Sequence, residues 1–113
     1  MVNDFITWQD FAKVKLKVGT IIHAEEFKEA RKPAYKLKVD FGEAGIKKTS
    51  AQITKRYTPK QLINKQVVAV INFPPKQIAN FMSECLILGA IGEEGDVILL
   101  TSEAKVPNGS EIA

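Results

Sequence analysis

The 113-residue sequence is poor in the residue types that most catalytic and metal sites need. It has one cysteine, Cys85, so no internal disulfide can form, and a lone thiol fits a reducing cytosol. The only histidine, His23, falls in a predicted strand without a cluster of potential ligands. The sequence also lacks a phosphate-binding glycine loop and a pair of carboxylates in an apolar cleft. We therefore predict that the protein is not an enzyme and has no catalytic residue, metal or cofactor.

Long apolar runs are absent too. No run approaches the roughly 18 residues that a membrane helix needs, and Met1–Phe5 lacks the basic and apolar segments of a signal peptide. These absences predict a cytoplasmic protein without membrane insertion. The length predicts a single domain: an N-terminal helix over 1–14, a barrel over 15–104 and a C-terminal tail over 105–113.

Charge is unevenly distributed along the chain. Residues 1–76 hold 15 of the 16 basic residues and 7 of the 13 acidic ones, whereas residues 77–113 hold one basic and six acidic residues. A basic face of this kind suits nucleic-acid phosphates. A solvated surface without a partner explains the same distribution.

Two short helices are predicted from their capping residues. Thr7 and Asp10 form a capping box for a helix within residues 4–14. Thr58, Pro59 and Gln61 give the cap, the first-turn proline and the capping box of a second helix, which Leu62 and Ile63 would anchor to the barrel end.

Strand patterns occupy most of the remaining chain. Tyr35 to Phe41 alternates apolar and polar residues, and Gln66 to Ile71 is a continuous apolar run. Gly19 lies inside the long first strand and suggests a bulge or a bend there. The predicted strands are 16–27, 35–41, 46–54, 66–71, and a final hairpin over 85–90 and 96–101, with residues 76–83 as a loop.

This element order, with a helix between the third and fourth strands, predicts an all-β fold: a five-stranded OB-fold barrel that also has a short N-terminal helix. OB-folds bind oligonucleotides and oligosaccharides. Other small barrels, such as SH3-like ones, stay open but do not predict the capped helix.

Three groups of residues are candidates for binding. A basic group would bind nucleic acid through phosphate contacts: Lys36, Lys38, Lys47, Lys48, Lys55, Arg56 and Lys76, with Tyr57 nearby. An apolar group after the fourth strand would either pack inward or accept an extended or unfolded peptide: Phe73, Pro74, Pro75, Ile78, Phe81 and Met82. An aromatic group in the N-terminal helix is expected to plug a barrel end, with a dimer interface as the alternative: Phe5, Trp8 and Phe11.

Several segments resemble a known family. Lys15–Ile21, Ala24–Phe27, Val39–Gly42 and Leu99–Thr101 are similar to the EMAPII-like tRNA-binding OB domain, which also occurs at the C-terminus of methionyl-tRNA synthetases and as free-standing proteins. More specific segments resemble the CsaA family of export-related chaperones within it: Ser50–Tyr57, Leu62–Val67, Asn72–Pro75 and Ser83–Glu84.

The resemblance implies a homodimer that binds unfolded or pre-export polypeptides without ATP and that engages the Sec motor. It adds Ile53 to the apolar group beside Phe73 and Pro74, Ser83 to the nucleic-acid group, and Val106 to the dimer interface. The alternative it implies is a structure-selective tRNA-binding protein. Glu84 stands in the segment that tRNA-binding relatives use, and its carboxylate would repel phosphate.

Overall fold

The protein is described by a computed structural model that covers residues 4–113; the start of the predicted N-terminal segment, residues 1–3, lies outside them. The described residues form two α-helices and nine strands, with one 3-10 turn at Gly42–Ala44. The elements are α1 (Trp8–Ala12), β1 (Leu16–Glu26), β2 (Tyr35–Asp40), β3 (Ile46–Ala51), α2 (Pro59–Leu62), β4 (Gln66–Val70), β5 (Lys76–Ile78), β6 (Phe81–Ser83), β7 (Leu86–Ile87), β8 (Gly89–Ile91) and β9 (Val97–Leu99).

The main sheet has the order β3-β2-β1-β4-β7 and is antiparallel throughout. The long strand β1 is shared, because its first half pairs with β4 and its second half with β2. The register shift lies between Ile21 and His23, so the bulge is not at Gly19. Gly19 is needed for another reason: a Cβ there would lie 2.6 Å from the buried ring of Phe41.

Hydrogen bonds between β3 and the segment before β7 bring the two ends of the sheet together. The Thr49 hydroxyl donates to the Cys85 carbonyl at 2.7 Å. The Glu84 amide donates to the Lys48 carbonyl at 2.8 Å, and the Lys48 amide donates to the Glu84 carboxylate at 2.9 Å. The nearly closed five-stranded sheet confirms the predicted OB-fold barrel.

The core follows the predicted alternation. Tyr35, Leu37, Val39 and Phe41 are all buried, and residues 67–70 of β4 are buried on both faces. Both predicted capping boxes are present, at Thr7 with Asp10 and at Thr58 with Gln61. At the end of α2, Leu62 is fully buried, whereas Ile63, the residue that follows the helix, is partly exposed.

Two sequence-based predictions are wrong. Residues 76–83 are not a loop but the β5–β6 hairpin, turned by Ala79 with a φ of +52°. The helix α1 does not plug the barrel, because none of its residues is buried and Trp8 is 88% exposed.

The C-terminal tail pairs with the start of β1. The Gly109 amide donates to the Val18 carbonyl at 2.7 Å, and the Val18 amide donates to the Ser110 carbonyl at 3.0 Å. The Gln66 side chain donates to the Val106 carbonyl at 2.7 Å, which fixes the beginning of the tail. Among the helices described, neither has the length or the apolar character to cross a membrane.

Candidate functional site

A groove of about 510 Å³ opens beside the end of β3. Its walls are the chain after β3, the connection from β4 to β5, the β5–β6 hairpin and β7. We call it the apolar groove, and its lining residues are Ser50, Ala51, Gln52, Ile53, Phe73, Pro74, Lys76, Ile78, Ser83, Cys85, Leu86, Ile87 and Val97.

Four of the seven residues of the predicted apolar group line this groove. Ile53 is buried at its base, Ile78 is half-buried, and Phe73 and Pro74 are exposed at its rim. The structure brings them together because β4 ends at Val70 and the connection to β5, which contains Phe73 and its two following prolines, runs beside the end of β3. Their role in peptide binding stays a prediction.

The other three residues of the apolar group, Pro75, Phe81 and Met82, are not part of the groove lining. The Phe81 ring packs edge-on against Phe27, with centroids 5.4 Å apart. Met82 is exposed on β6 and alternates with Phe81 and Ser83, so its side chain points to the opposite face of the hairpin.

The groove also contains residues that the sequence did not indicate. Leu86, Ile87 and Val97 come from strands whose apolar pattern is typical of core. Lys76 contributes the charged side chain of the lining, and the Ser83 hydroxyl lies 3.0 Å from the Thr49 hydroxyl. Burial raises the pKa of the Cys85 thiol to about 11, against smaller lowering effects of the Thr49 hydrogen bond and the charge of Lys47. The groove therefore presents a neutral thiol at physiological pH.

The predicted nucleic-acid residues separate into several places. Lys36, Lys38 and Lys48 share the outer face of β2 and β3, since Lys38 is paired with Lys48. Lys36 Nζ lies 4.8 Å from the Phe27 ring centroid, and Lys48 Nζ lies 5.4 Å from that of Phe81. We call Lys36, Lys38 and Lys48 the basic strand face.

The remaining basic residues are not on this face. Lys47 pairs with the buried Val39 and so lies on the inward side of β3. Lys55 donates to the Glu94 carbonyl, and Arg56 lies 3.4 Å from the Asp96 carboxylate. Lys76 and Ser83 line the apolar groove instead.

The predicted dimer residues fall into two groups. Phe5 and Trp8 are 90% and 88% exposed, and Phe11 is partly exposed. Val106 is half-buried at the start of the tail. Asn72, next to Phe73, holds the connection from α1 to β1, because its side chain donates to the Lys13 carbonyl at 2.6 Å and accepts from the Lys15 amide at 2.9 Å.

Comparison with known proteins decides the family. Residues 16–111 match the family described as "Putative tRNA binding domain". The crystal structure of the chaperone CsaA from Bacillus anthracis strain Ames is 55% identical, with a TM-score of 0.91 over 96% of this chain and 99% of that one. The protein belongs to the CsaA group of the tRNA-binding domain family. The resemblance inferred from the sequence is thereby confirmed.

Further relatives show how widely this domain is used. The CsaA chaperone structure from Picrophilus torridus is also 55% identical, with a TM-score of 0.90 over 96% of this chain and 100% of that one. The methionine–tRNA ligase of Methanococcoides burtonii is 33% identical over 108 residues, which are 96% of this chain and 16% of the ligase. The chain thus spans about one sixth of the length of the curated relatives it matches.

Proposed function

We propose that the protein is a homodimeric chaperone that binds unfolded or pre-export polypeptides in the apolar groove without ATP. The observation that carries this proposal is the partly exposed Phe73 at the rim of a preformed groove floored by apolar residues. Unfolded polypeptides expose apolar side chains, and covering such area is favourable by about 25 cal/mol per Å². The related structures named as CsaA chaperones support the same function.

The proposal involves binding alone, with no chemical step and therefore no enzyme activity. Among residues 4–113, no group of three or more His, Cys, Asp or Glu side chains could hold a metal ion. We place the activity in the cytoplasm, with unfolded precursors and the Sec motor as partners.

The proposed dimer interface uses α1. Its aromatic side chains project from the barrel instead of entering it, and large aromatics are enriched at the centres of protein interfaces. A second copy that covered Phe5, Trp8 and Phe11 would remove this apolar area from water.

A second candidate function is tRNA binding, favoured by the basic strand face. Lys36, Lys38 and Lys48 present adjacent positive charges on the outer face of the β2–β3 pair, where OB-folds bind their ligands. The carboxylate of Glu84 accepts a hydrogen bond from the Lys48 amide and adds negative charge beside this face.

Binding measurements at two salt concentrations separate the two functions. We expect a labelled, reduced and cysteine-blocked unfolded polypeptide to bind with an affinity that changes little between 50 and 200 mM salt. Binding of tRNA through phosphates would instead weaken with a log–log slope of about −0.9 per duplex phosphate contact. Absence of polypeptide binding at either salt concentration would refute the chaperone proposal, and a salt-insensitive or absent tRNA complex would refute the alternative.

A further inference from the structure

The strand β3 is an edge of the main sheet and lies against the apolar groove. In the antiparallel pair of β2 and β3, Lys48 lies opposite Lys38 and Ser50 lies opposite Lys36. The direction of the backbone hydrogen-bonding groups alternates along such a strand, so residues two apart, such as Lys48 and Ser50, point these groups the same way. The Lys48 amide and carbonyl bond to Glu84 and so point away from β2. By alternation, the backbone groups of Ser50 point the same way, and Gln52 is the first residue after the end of β3.

The backbone groups of Lys48 are hydrogen-bonded to Glu84, whereas those nearer Gln52 make weaker hydrogen bonds or none. The Ser50 amide makes only a long hydrogen bond, 3.3 Å, to the Ser83 hydroxyl. The Ser50 carbonyl accepts from the Thr49 hydroxyl, also at 3.3 Å, while that hydroxyl makes a shorter bond to Cys85. Within residues 4–113, the backbone amide and carbonyl of the exposed Gln52 have no hydrogen-bond partner.

An open strand edge recognises one kind of ligand, an extended polypeptide backbone. Such a backbone adds a strand by main-chain hydrogen bonds, and its alternate side chains enter adjoining pockets. Ser50 and Gln52 both line the apolar groove, so a strand paired with them would direct every second side chain into it. The sugar–phosphate backbone of a nucleic acid lacks the alternating amide donors and carbonyl acceptors that would match this edge.

The charge around the groove indicates what else the polypeptide carries. Lys76 lies in the groove lining and forms no ion pair with any described residue. The adjoining cleft, which shares Ser50, Gln52 and Ile78 with the groove, adds Arg31 and Lys32, also without an ion pair in the described chain. Its one acidic residue, Glu29, lies 3.5 Å from Lys36. An acidic side chain would complement this surface.

We propose that polypeptides bind as an extended strand paired with the β3 edge at Ser50 and Gln52, with alternate apolar side chains in the groove and an acidic side chain near Lys76. This inference rests on the proposed function and adds to it a binding geometry and a sequence preference. The protein would recognise the backbone of a bound polypeptide at this strand edge. Of the side chains, it would recognise only their apolar alternation and their charge.

The test uses a nine-residue peptide, blocked at both ends, that alternates leucine with threonine, begins with leucine, and carries one central glutamate in place of a leucine, so that the glutamate faces the groove. Each backbone amide is N-methylated in turn, and affinity for the full-length protein is measured by isothermal titration calorimetry. We expect losses of tenfold or more at alternate positions across the bound segment and losses of less than twofold between them. Only the amides that face β3 would be affected.

Uniformly small effects, with the parent peptide bound and weakened by Phe73→Ala, would overturn strand addition but leave the proposed function intact. If neither the parent peptide nor an unfolded polypeptide bound at all, the proposed function itself would fail. If the peptide bound less well as the protein concentration rose, a second copy of the protein would be occupying the β3 edge. That result would also overturn the proposed strand addition.

The preference for an acidic side chain near Lys76 is tested separately. Lys76→Glu is expected to weaken the glutamate peptide at least fivefold and to strengthen a matched peptide with lysine in that position. Lys60→Glu is the control, because Lys60 is exposed on α2 and outside the groove. Equal effects of Lys76→Glu and Lys60→Glu, or no gain with the lysine peptide, would contradict a contact at Lys76.

Discussion

Replacing Phe73 with alanine should weaken polypeptide binding while leaving the fold almost unchanged. The residue is 55% exposed in the free protein. A phenylalanine can bury roughly 150–250 Å², so a bound polypeptide would cover about 100 Å² more of it, worth about 2.5 kcal/mol at about 25 cal/mol per Å². Ordering costs on association reduce this gain. We therefore expect a loss of about 1–2 kcal/mol, or roughly 5–30-fold in Kd.

The assay is titration of an unfolded polypeptide by fluorescence anisotropy, together with suppression of its aggregation measured by light scattering. Urea unfolding of the same variant should show a loss of less than about 1 kcal/mol, because the side chain is already half in water. Ile46→Ala is the matched control, since Ile46 is 59% exposed on β3 but outside the groove. Equal Kd values for Phe73→Ala and the unmodified protein would refute the groove as the polypeptide site.

Three further predictions concern assembly and stability. Trp8→Glu should move the mass measured by sedimentation toward the monomer, and an unchanged mass would exclude α1 from the interface. Thr49→Val should lower the free energy of unfolding in urea by about 1–3 kcal/mol, because it removes the donor to the buried Cys85 carbonyl; no change would contradict that role. The pKa of Cys85 is raised from 9.0 to about 11 by burial, so the unfolded thiol ionises first as pH rises. Stability should fall between about pH 9 and about pH 11 by up to about 1.4 kcal/mol per pH unit, and Cys85→Ala should lose this component of the decline.

The elements that the sequence predicted well are those determined by local interactions. The capping boxes at Thr7 and Thr58 depend on side chains three residues away from their partners, so their motifs suffice. The alternation from Tyr35 to Phe41 predicts its buried face directly. The β5–β6 hairpin was missed because Ala79, in place of glycine, occupies the positive-φ position of its turn.

Long-range features were less accessible to sequence reasoning. The aromatic residues of α1 are equally suited to covering their own barrel or a partner, and only the structure shows that the barrel leaves them exposed. In the groove, Phe73 and Pro74 were predicted because prolines interrupt an apolar run. Leu86 and Ile87 were not predicted, because a strand that lines a groove has the same apolar sequence pattern as a strand that packs in the core.

The two candidate functions can be separated by mutation because they use different parts of β3. The basic strand face consists of side chains, with Lys38 and Lys48 on the outer side of the sheet. The proposed polypeptide edge consists of backbone groups at Ser50, within β3, and at Gln52, just after it, and both residues line the groove. Charge reversal at Lys38 leaves the groove lining intact, just as truncation of Phe73 leaves the lysines intact. Between the two surfaces, Glu84 bonds to both the amide and the carbonyl of Lys48, so we expect a ligand on one surface to affect the other through direct overlap or through charge.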